Sequence, residues 1–377
     1  MKRLVGRDVI CFANDWAGDP LSKQHIVRSF ARDNRVLWVE SLGNRAPRLD
    51  RRDLTRLVSK LARFRQGLRE VQRNLWLLSP LAIPAYHSPL ARAINALVVT
   101  GLVKRAMHQL GFDRPLLYTF VPASAWVIGR LGEEQSIYHC VDEYSAFAGA
   151  GQEIAELERQ LCQRADLTIV SSQSLLERRR PFARRIALVR HGVDHRHFAR
   201  ALLPETDIPD ELARLPKPVL GFHGLIAEWV DSGLIRRIAE RFPHASVVLI
   251  GDLRIDRPIW EGLPNLHLLG RRPYQDLPRY CRGFDVALLP FVVDELTICA
   301  SPLKLREYLA AGLPVVATSI PEARLFGDAV QVAENDEAFF AAILHALARP
   351  GPRSERSELV ADQTWDHQIE RIHQLLT

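Results

Sequence analysis

Methionine and cysteine are scarce in this chain of 377 residues, which has two of the first and five of the second. Cys11, Cys140, Cys162, Cys281 and Cys299 are scattered, odd in number and free of any CxxC or other metal spacing. They argue against a disulfide framework and fit a reducing cytoplasm. The histidines form no cluster either, so no metal is expected. Long hydrophobic runs are also missing. The most apolar stretch, Ile94–Val103, contains Asn95 and Thr100 and is about half of the roughly 20 residues a membrane span requires. Met1–Arg7 is basic, but Asp8, Asn14 and Asp15 interrupt the apolar stretch behind it, so no signal peptide is expected. Low-complexity tracts and short-period repeats are absent.

What is present is ordinary for a globular protein: 47% hydrophobic and 25% charged residues. The length exceeds what one core usually supports, so two domains are expected. The net charge is +6, and it is uneven. Residues 45–73 carry ten Arg and Lys against three acids, a local excess of seven. Within them Leu54, Leu57, Val58, Leu61, Phe64 and Leu68 recur at helical spacing, giving a basic amphipathic helix over Arg51–Arg69. Such a helix either packs its stripe on its own domain or lies on anionic headgroups. Nucleic acid is not expected as a partner, because no aromatics interleave the arginines.

Apolar strands alternate with helical patterns along the chain, which predicts parallel α/β architecture. Strands are expected at Val9–Ala13, Val36–Glu40, Leu75–Ser79, Leu116–Phe120, Ser136–Val141, Leu167–Val170 and Ile186–Val189, with a helix over Ser22–Arg32. The pattern restarts with strands at Val219–Phe222, Ser246–Ile250, Leu266–Leu269, Val286–Pro290 and Val315–Thr318. Between the halves, Pro204, Pro209, Pro216 and Pro218 mark a linker over 199–218 rather than a packed element. The expectation is two doubly wound domains with a cleft between them as the ligand site.

The segment Ser301–Glu322, SPLKLREYLAAGLPVVATSIPE, carries the most chemistry. Ser301 suits an N-cap and Pro302 a first helical position. Gly312 suits the left-handed residue that ends a helix, and Pro314–Ala317 reads as a buried strand. The free amides around Ser301, Pro302 and Leu303 and the positive end of the helix suit a diphosphate. Lys304 adds a charge, and the Glu307 carboxylate can accept hydrogen bonds from two neighbouring ribose hydroxyls. Asp142 and Glu143 leave the carboxyl end of the Ser136–Val141 strand. Asp142 reads equally as a cap of the following helix or as a carboxylate beside a reacting hydroxyl.

This ordering resembles the two-domain GT-B glycosyltransferases, specifically the family 4 group that uses nucleotide sugars. The matches run in register. VRHGVDHRHF (Val189–Phe198) is similar to the family's GVD…F motif. GFHGLIAEWVD (Gly221–Asp231) resembles the opening strand and glycine turn of its donor domain. VVLIGD (Val247–Asp252), NLHLLGRRPYQDLPRY (Asn265–Tyr280) and FDVALLPF (Phe284–Phe291) resemble the succeeding strands and loops, and QTWDHQIERI (Gln363–Ile372) the closing helix.

The resemblance implies a GT-B fold with four parts: an acceptor-binding domain over 1–198, a linker over 199–218, a donor-binding domain over 219–350, and a helix within 351–377 crossing back to the first domain. It implies that Gly221, His223 and Gly224 approach the donor phosphates, with Arg271 and Tyr274 near the donor, and that Glu307 holds the ribose. Asp15, Lys23 and His191 fall on the acceptor side, and Asp142 and Glu143 are the catalytic candidates. The family's first glutamate, eight positions before Glu307, is replaced by Cys299, which marks a variant subgroup. The basic residue expected just after the glycine turn is also absent, since Leu225 and Ile226 stand there. Lys304 and Arg271 are then left to neutralise the diphosphate.

The implied activity is retaining transfer of a sugar from a nucleoside diphosphate to a lipid-linked or polysaccharide acceptor in cell-surface glycan synthesis. No cofactor and no metal are implied. The expected location is the cytoplasmic face of the membrane, held peripherally through the basic segment 45–73. Two alternatives stay open: a nucleotide-sugar epimerase of the same fold, and a non-catalytic nucleotide- or lipid-binding partner of a glycosyltransferase.

Overall fold

The computed structural model describes residues 4–17, 21–40, 62–81, 83, 88–255 and 259–376. The chain divides into two compact units, Met1–Arg190 with Ile369–Thr377, and His191–Gln368. Unit 1 contains strands β1 (Asp8–Ala13), β2 (Arg35–Glu40), β3 (Arg69–Gln72), β4 (Leu75–Leu78), β5 (Leu116–Thr119), β6 (Gln135–Cys140), β7 (Leu167–Val170) and β8 (Ile186–Leu188). Their order in the sheet is β3-β4-β2-β1-β5-β6-β7-β8, parallel except for β3 against β4. Unit 2 contains β9 (Val219–His223), β10 (Ser246–Ile250), β11 (Leu266–Gly270), β12 (Val286–Leu289), β13 (Val315–Thr318) and β14 (Val330–Ala333). These run in the order β11-β10-β9-β12-β13-β14, parallel throughout.

The physical reason lies in the strands themselves. β1, β5, β9, β10, β12 and β13 are buried along their whole length, as continuous apolar runs covered on both faces must be. The fold class is therefore as expected, α/β with two doubly wound sheets. In each sheet the strand order reverses beside one central strand: at β1 and β5 in unit 1, and at β9 and β12 in unit 2. Helices from the two neighbours leave on opposite sides there, which opens a crevice at the carboxyl ends.

Three expectations are corrected. The stretch 199–218, expected as a linker, is packed. It forms helical turns at Ala199–Leu202 and Asp210–Ala213, and Ala201 and Leu212 enter the core of unit 2. Pro209 is the cap residue of the second turn, so proline there starts structure instead of preventing it. The boundary accordingly falls before His191 rather than after Phe198, because Phe198 is buried in the core of unit 2.

The basic helix over Arg51–Arg69 lies mostly outside the described residues. Of the part that is described, 62–65 is helical, but Arg69–Gln72 is the edge strand β3. An edge strand needs no apolar run, so its polar sequence REVQ gives little signal. At the other end of the chain, the helix Trp365–Leu376 divides after Gln368, and its last residues join unit 1. There His373 Nδ1 accepts from the Leu4 amide at 3.2 Å, and its ring meets Phe30 at 5.5 Å. Among the described residues no helix is long and apolar enough to cross a membrane.

Gly221 sits within β9, where a Cβ would lie 2.3 Å from the ring of the fully buried Phe284. Gly221→Ala therefore overpacks the sheet. We expect it to lower stability by about 1–3 kcal/mol, seen as a fall in the melting temperature by calorimetry. An unchanged melting temperature would mean that Phe284 has room to move.

Candidate active site

In unit 2 the crevice beside β9 and β12 is furnished by the helix Leu303–Ala310. That helix ends as its residues require. The Gly312 amide bonds to the Leu309 carbonyl at 2.8 Å and the Leu313 amide to the Tyr308 carbonyl at 2.9 Å, a closed C-terminal turn. Lys304, Glu307 and Tyr308 lie three and four residues apart and so share one face. They meet the end of β9. The Tyr308 hydroxyl accepts from the His223 amide at 2.8 Å, and the Tyr308 and His223 rings pack edge to face with centroids 4.7 Å apart.

Gly224 follows β9 with φ of 127°, and Gly251 follows β10 with φ of 148°. The Gly224 amide bonds to the Ile250 carbonyl at 2.7 Å. A Cβ on Gly251 would fall 1.9 Å from the Gly224 carbonyl oxygen, and one on Gly224 would fall 1.9 Å from Lys304 Cε. Only glycine allows both the backbone conformation and the approach. The lysine stem thus lies directly over the glycine turn. Its Nζ is 5.6 Å from the Phe222 ring centre and 5.9 Å from that of Phe291, favourable distances for a cation over an aromatic face.

Burial disturbs every ionisable group here. It lowers the Lys304 ammonium below its usual range, partly opposed by Glu307. It pushes the Glu307 carboxyl up to about 7, against the pull of Lys304. His223 is pushed down to about 3, first by burial and then by the Lys304 charge, so its ring is neutral at physiological pH. Its Nε2 stands 3.9 Å from Glu307 Oε2, too far for a hydrogen bond, and has no partner among the described residues. A buried polar atom of this kind is satisfied when a polar group enters.

The structure brings Gly224, His223, Lys304 and Glu307 together, with Gly221 supporting them from within β9. Other expected residues stand apart. Ser301 is not the N-cap: Pro302 occupies the cap position and Leu303 is the first helical residue. A proline cap offers no side chain to the amides, and Ser301 is turned into the interior instead. There its hydroxyl accepts from Arg306 Nη1 at 3.3 Å and lies 3.5 Å from Glu322 Oε2. Arg306 and Glu322 are both buried, with Arg306 Nη2 3.7 Å from the carboxylate. Glu322 is a buried partner that its exposed-looking sequence context does not announce. Arg271 lies exposed after the edge strand β11, two strands away from β9.

Tyr274 stacks on His197 at 4.6 Å and meets Phe198 edge-on at 5.7 Å. Phe198 in turn stacks on His223 at 6.0 Å. Tyr274 is therefore joined to the site through Phe198, a residue whose only sequence signal is its place at the end of the GVD…F stretch. His191 is buried near Trp365 (6.0 Å between ring centres) and belongs to unit 2, not to the expected acceptor domain.

Unit 1 repeats the arrangement at its own crevice. Lys23, in the first turn of the helix Ser22–Asp33, is buried, and its Nζ donates to the Tyr144 hydroxyl at 3.3 Å. That Nζ lies 5.8 Å from the Phe120 ring centre and 5.7 Å from that of Tyr144. Burial lowers the Lys23 ammonium and raises the Asp142 carboxyl, and each charge counters the other's shift. Asp142 does not cap the turn that follows: Glu143 holds that position, with no side-chain cap.

Glu143, the second catalytic candidate, is engaged in buried pairing. It accepts from Arg179 at 2.6 Å and from Ser145 at 2.7 Å, while Arg179 also bonds Glu158 at 2.8 Å. A carboxylate committed to a buried arginine is costly to free for chemistry. Asp15 is paired with Arg63 at 3.0 Å. Among the described residues no group of three His, Cys, Asp or Glu is gathered as a metal would need.

Residues 217–349 match the family model Glycosyl transferases group 1. The whole fold is similar to sucrose-phosphate synthase from Thermosynechococcus elongatus, with a TM-score of 0.69 at 16% identity, covering 98% of each chain. The chain is a glycosyltransferase of the GT-B fold. It is 26% identical over 307 residues to a Bacillus subtilis protein named as a teichuronic acid biosynthesis glycosyltransferase, TuaH, covering 70% of this chain and 76% of that one. HepE from Anabaena, solved with UDP and glucose, superposes with a TM-score of 0.67 at 15% identity, covering 98% of this chain and 99% of its own.

Proposed function

We propose that this glycosyltransferase moves a sugar, with retention, from a nucleoside diphosphate to a lipid-linked or polysaccharide acceptor in cell-surface glycan synthesis. One observation carries the donor half. Lys304 and Glu307 lie three residues apart on a helix at the β9/β12 switch point, with the lysine stem over the Gly224 turn. The TuaH match supports the glycan context, and the UDP and UDP-sugar complexes of fold neighbours support the donor class.

In this reading the diphosphate lies against the Gly224 turn and the amides of Leu303 and Lys304. Ionised Glu307 accepts from the two ribose hydroxyls, and His223 Nε2 gains a polar partner. As the glycosidic bond breaks, charge collects on the leaving diphosphate. Lys304 opposes it where little water competes, so the stabilisation is larger in the transition state than in the ground state. The acceptor proton passes to a donor phosphate oxygen, as retention without a protein nucleophile requires. Asp142 positions the acceptor hydroxyl or supports positive charge at the anomeric carbon, and the Lys23 charge pulls its carboxyl back toward the ionised form against burial. Neither a cofactor nor a metal is part of the proposal.

Three outcomes are expected. Lys304→Ala and Glu307→Ala each lower turnover at least about a hundredfold, ~2.7 kcal/mol of barrier. The assay is mass spectrometry of products from a panel of nucleotide sugars and polyprenyl-linked acceptors. Near-normal turnover in either variant, or no calorimetric binding of both UDP and GDP by the wild type, overturns the donor assignment.

Binding also depends on pH. The free Glu307 carboxyl titrates near 7, and nucleotide needs its ionised form, so binding releases a proton below that point. Affinity accordingly falls by up to about tenfold per pH unit below 7 and levels off above it. Calorimetry in buffers of different ionisation enthalpy reads the released proton directly, and Glu307→Gln removes this component. Finally, Asp142→Asn is expected to abolish turnover while leaving UDP affinity intact. A loss of affinity would place Asp142 with the donor instead.

A further inference from the structure

The helix Pro89–Leu110 covers one face of the unit 1 sheet, burying Ala91, Ala96, Val99, Val103 and Met107. A helix in that position ordinarily turns polar residues outward. This one does not. Leu90 and Leu97 are 69% exposed, Val98 is 45% exposed and Ile94 39%, and Gly101 opens on the same side with nothing near it. Seven-residue steps carry the stripe onward from Leu97 to Lys104 and from Val98 to Arg105, both exposed. The outer face is thus apolar for three turns and basic for the last two.

Charge selects what covers it. Between Glu70 and Asp113 the chain contains no Asp or Glu at all. On the helix Gln152–Arg164, Glu156 feels the charge of Arg92 but is already paired with Arg159 at 2.8 Å. Nothing on the stripe itself repels a negative surface. The helix is firmly built, with Ser88 accepting from the Ala91 amide at its start and Gly111 in the left-handed conformation at its end. It is also too polar on balance to span a bilayer.

We propose that this face lays unit 1 on an anionic lipid surface, with the helix parallel to the plane. Leu90, Ile94, Leu97 and Val98 enter the acyl boundary, and Lys104 and Arg105 sit at the headgroup phosphates. The inference deepens the lipid-linked acceptor reading by giving that acceptor's membrane a docking surface, and it is tested without turnover.

The experiment is cosedimentation of the full chain with vesicles of phosphatidylcholine alone, or mixed with phosphatidylglycerol, across a salt series. The wild type is expected to bind the mixed vesicles and to be released by salt. Leu90→Glu/Leu97→Glu is expected to weaken binding by about tenfold or more, and Lys104→Ala/Arg105→Ala to flatten the salt dependence. Far-UV circular dichroism and the melting temperature, measured in parallel, are expected to stay at the wild-type values in both variants, which shows that unit 1 folds, and UDP affinity is expected to be unchanged. Unchanged vesicle binding by Leu90→Glu/Leu97→Glu overturns the proposal. So does binding that is lost only on charge reversal of Arg51, Arg52, Arg56 and Lys60. A concentration-dependent dimer that the Leu90→Glu/Leu97→Glu variant dissolves, without vesicle binding by the wild type, overturns it in favour of a second copy of the chain. Vesicle binding by a wild type that fails to bind UDP or GDP would sustain this surface while sinking the donor reading.

Discussion

Each unit sets a lysine, buried at Lys23 and half-buried at Lys304, in the first turn of a helix at the point where its sheet reverses strand order. Placing an ammonium there costs several kcal/mol unless charge and dipole compensate. Both units offer the same compensation. Lys304 has Glu307 and the faces of Phe222 and Phe291. Lys23 has Asp142, the Tyr144 hydroxyl and the faces of Phe120 and Tyr144. In both cases the compensation is incomplete, since the lysine is lowered and its carboxylate raised. A group left in that condition gains most from an arriving ligand, because new charge or new hydroxyls complete what the protein leaves short.

Other features follow from that placement. Lys304 can lie over the end of β9 only if nothing projects from the turn, which demands Gly224. The close packing of that turn against the next demands Gly251. The helix must hold its angle, and Arg306 fixes it from beneath by joining Ser301, Glu322 and Gln363 in one buried cluster. Tyr308 binds the helix to the last amide of β9. The face that presents Lys304 and Glu307 is therefore held by Arg306, Ser301, Glu322 and Tyr308, and a change in any of them would shift the two together.

Much of this was legible in the order of residues. The strands read correctly where an apolar run is bounded by glycine or proline, and the Ser301–Glu322 segment read correctly as a helix, a glycine stop and a strand. Lys304 and Glu307 were legible because their spacing alone puts them on one face. The errors share a cause: local pattern gives no account of partners distant in sequence. Glu143 looked like an emerging carboxylate, and only Arg179, 36 residues away, shows it to be committed. Ser301 looked like a cap until Glu322 and Arg306 drew it inward. The prolines of 199–218 suggested a loose linker, although Leu212 packs into the core beside them. The edge strand β3 left no apolar signature because only one of its sides is paired.

The same contrast bears on sugar choice. In the proposed reading, Glu307 and Lys304 take up a ribose and a diphosphate. Eight residues before Glu307 stands Cys299, buried at the end of the short helix Glu295–Cys299. A thiol is a weak acceptor and a poor match for sugar hydroxyls, so the charge-assisted bonds available to a carboxylate are lost at that place. Asp294 does not replace it, because its side chain caps the short helix by accepting from the Thr297 amide. The firm charge-assisted contacts thus concentrate at the nucleotide end. Under that proposal, discrimination between sugars rests on shape and neutral hydrogen bonds, among them the neutral His223 ring. A site proposed in this form would hold the leaving group more tightly than the transferred group, which suits a reaction whose barrier is dominated by charge on the diphosphate.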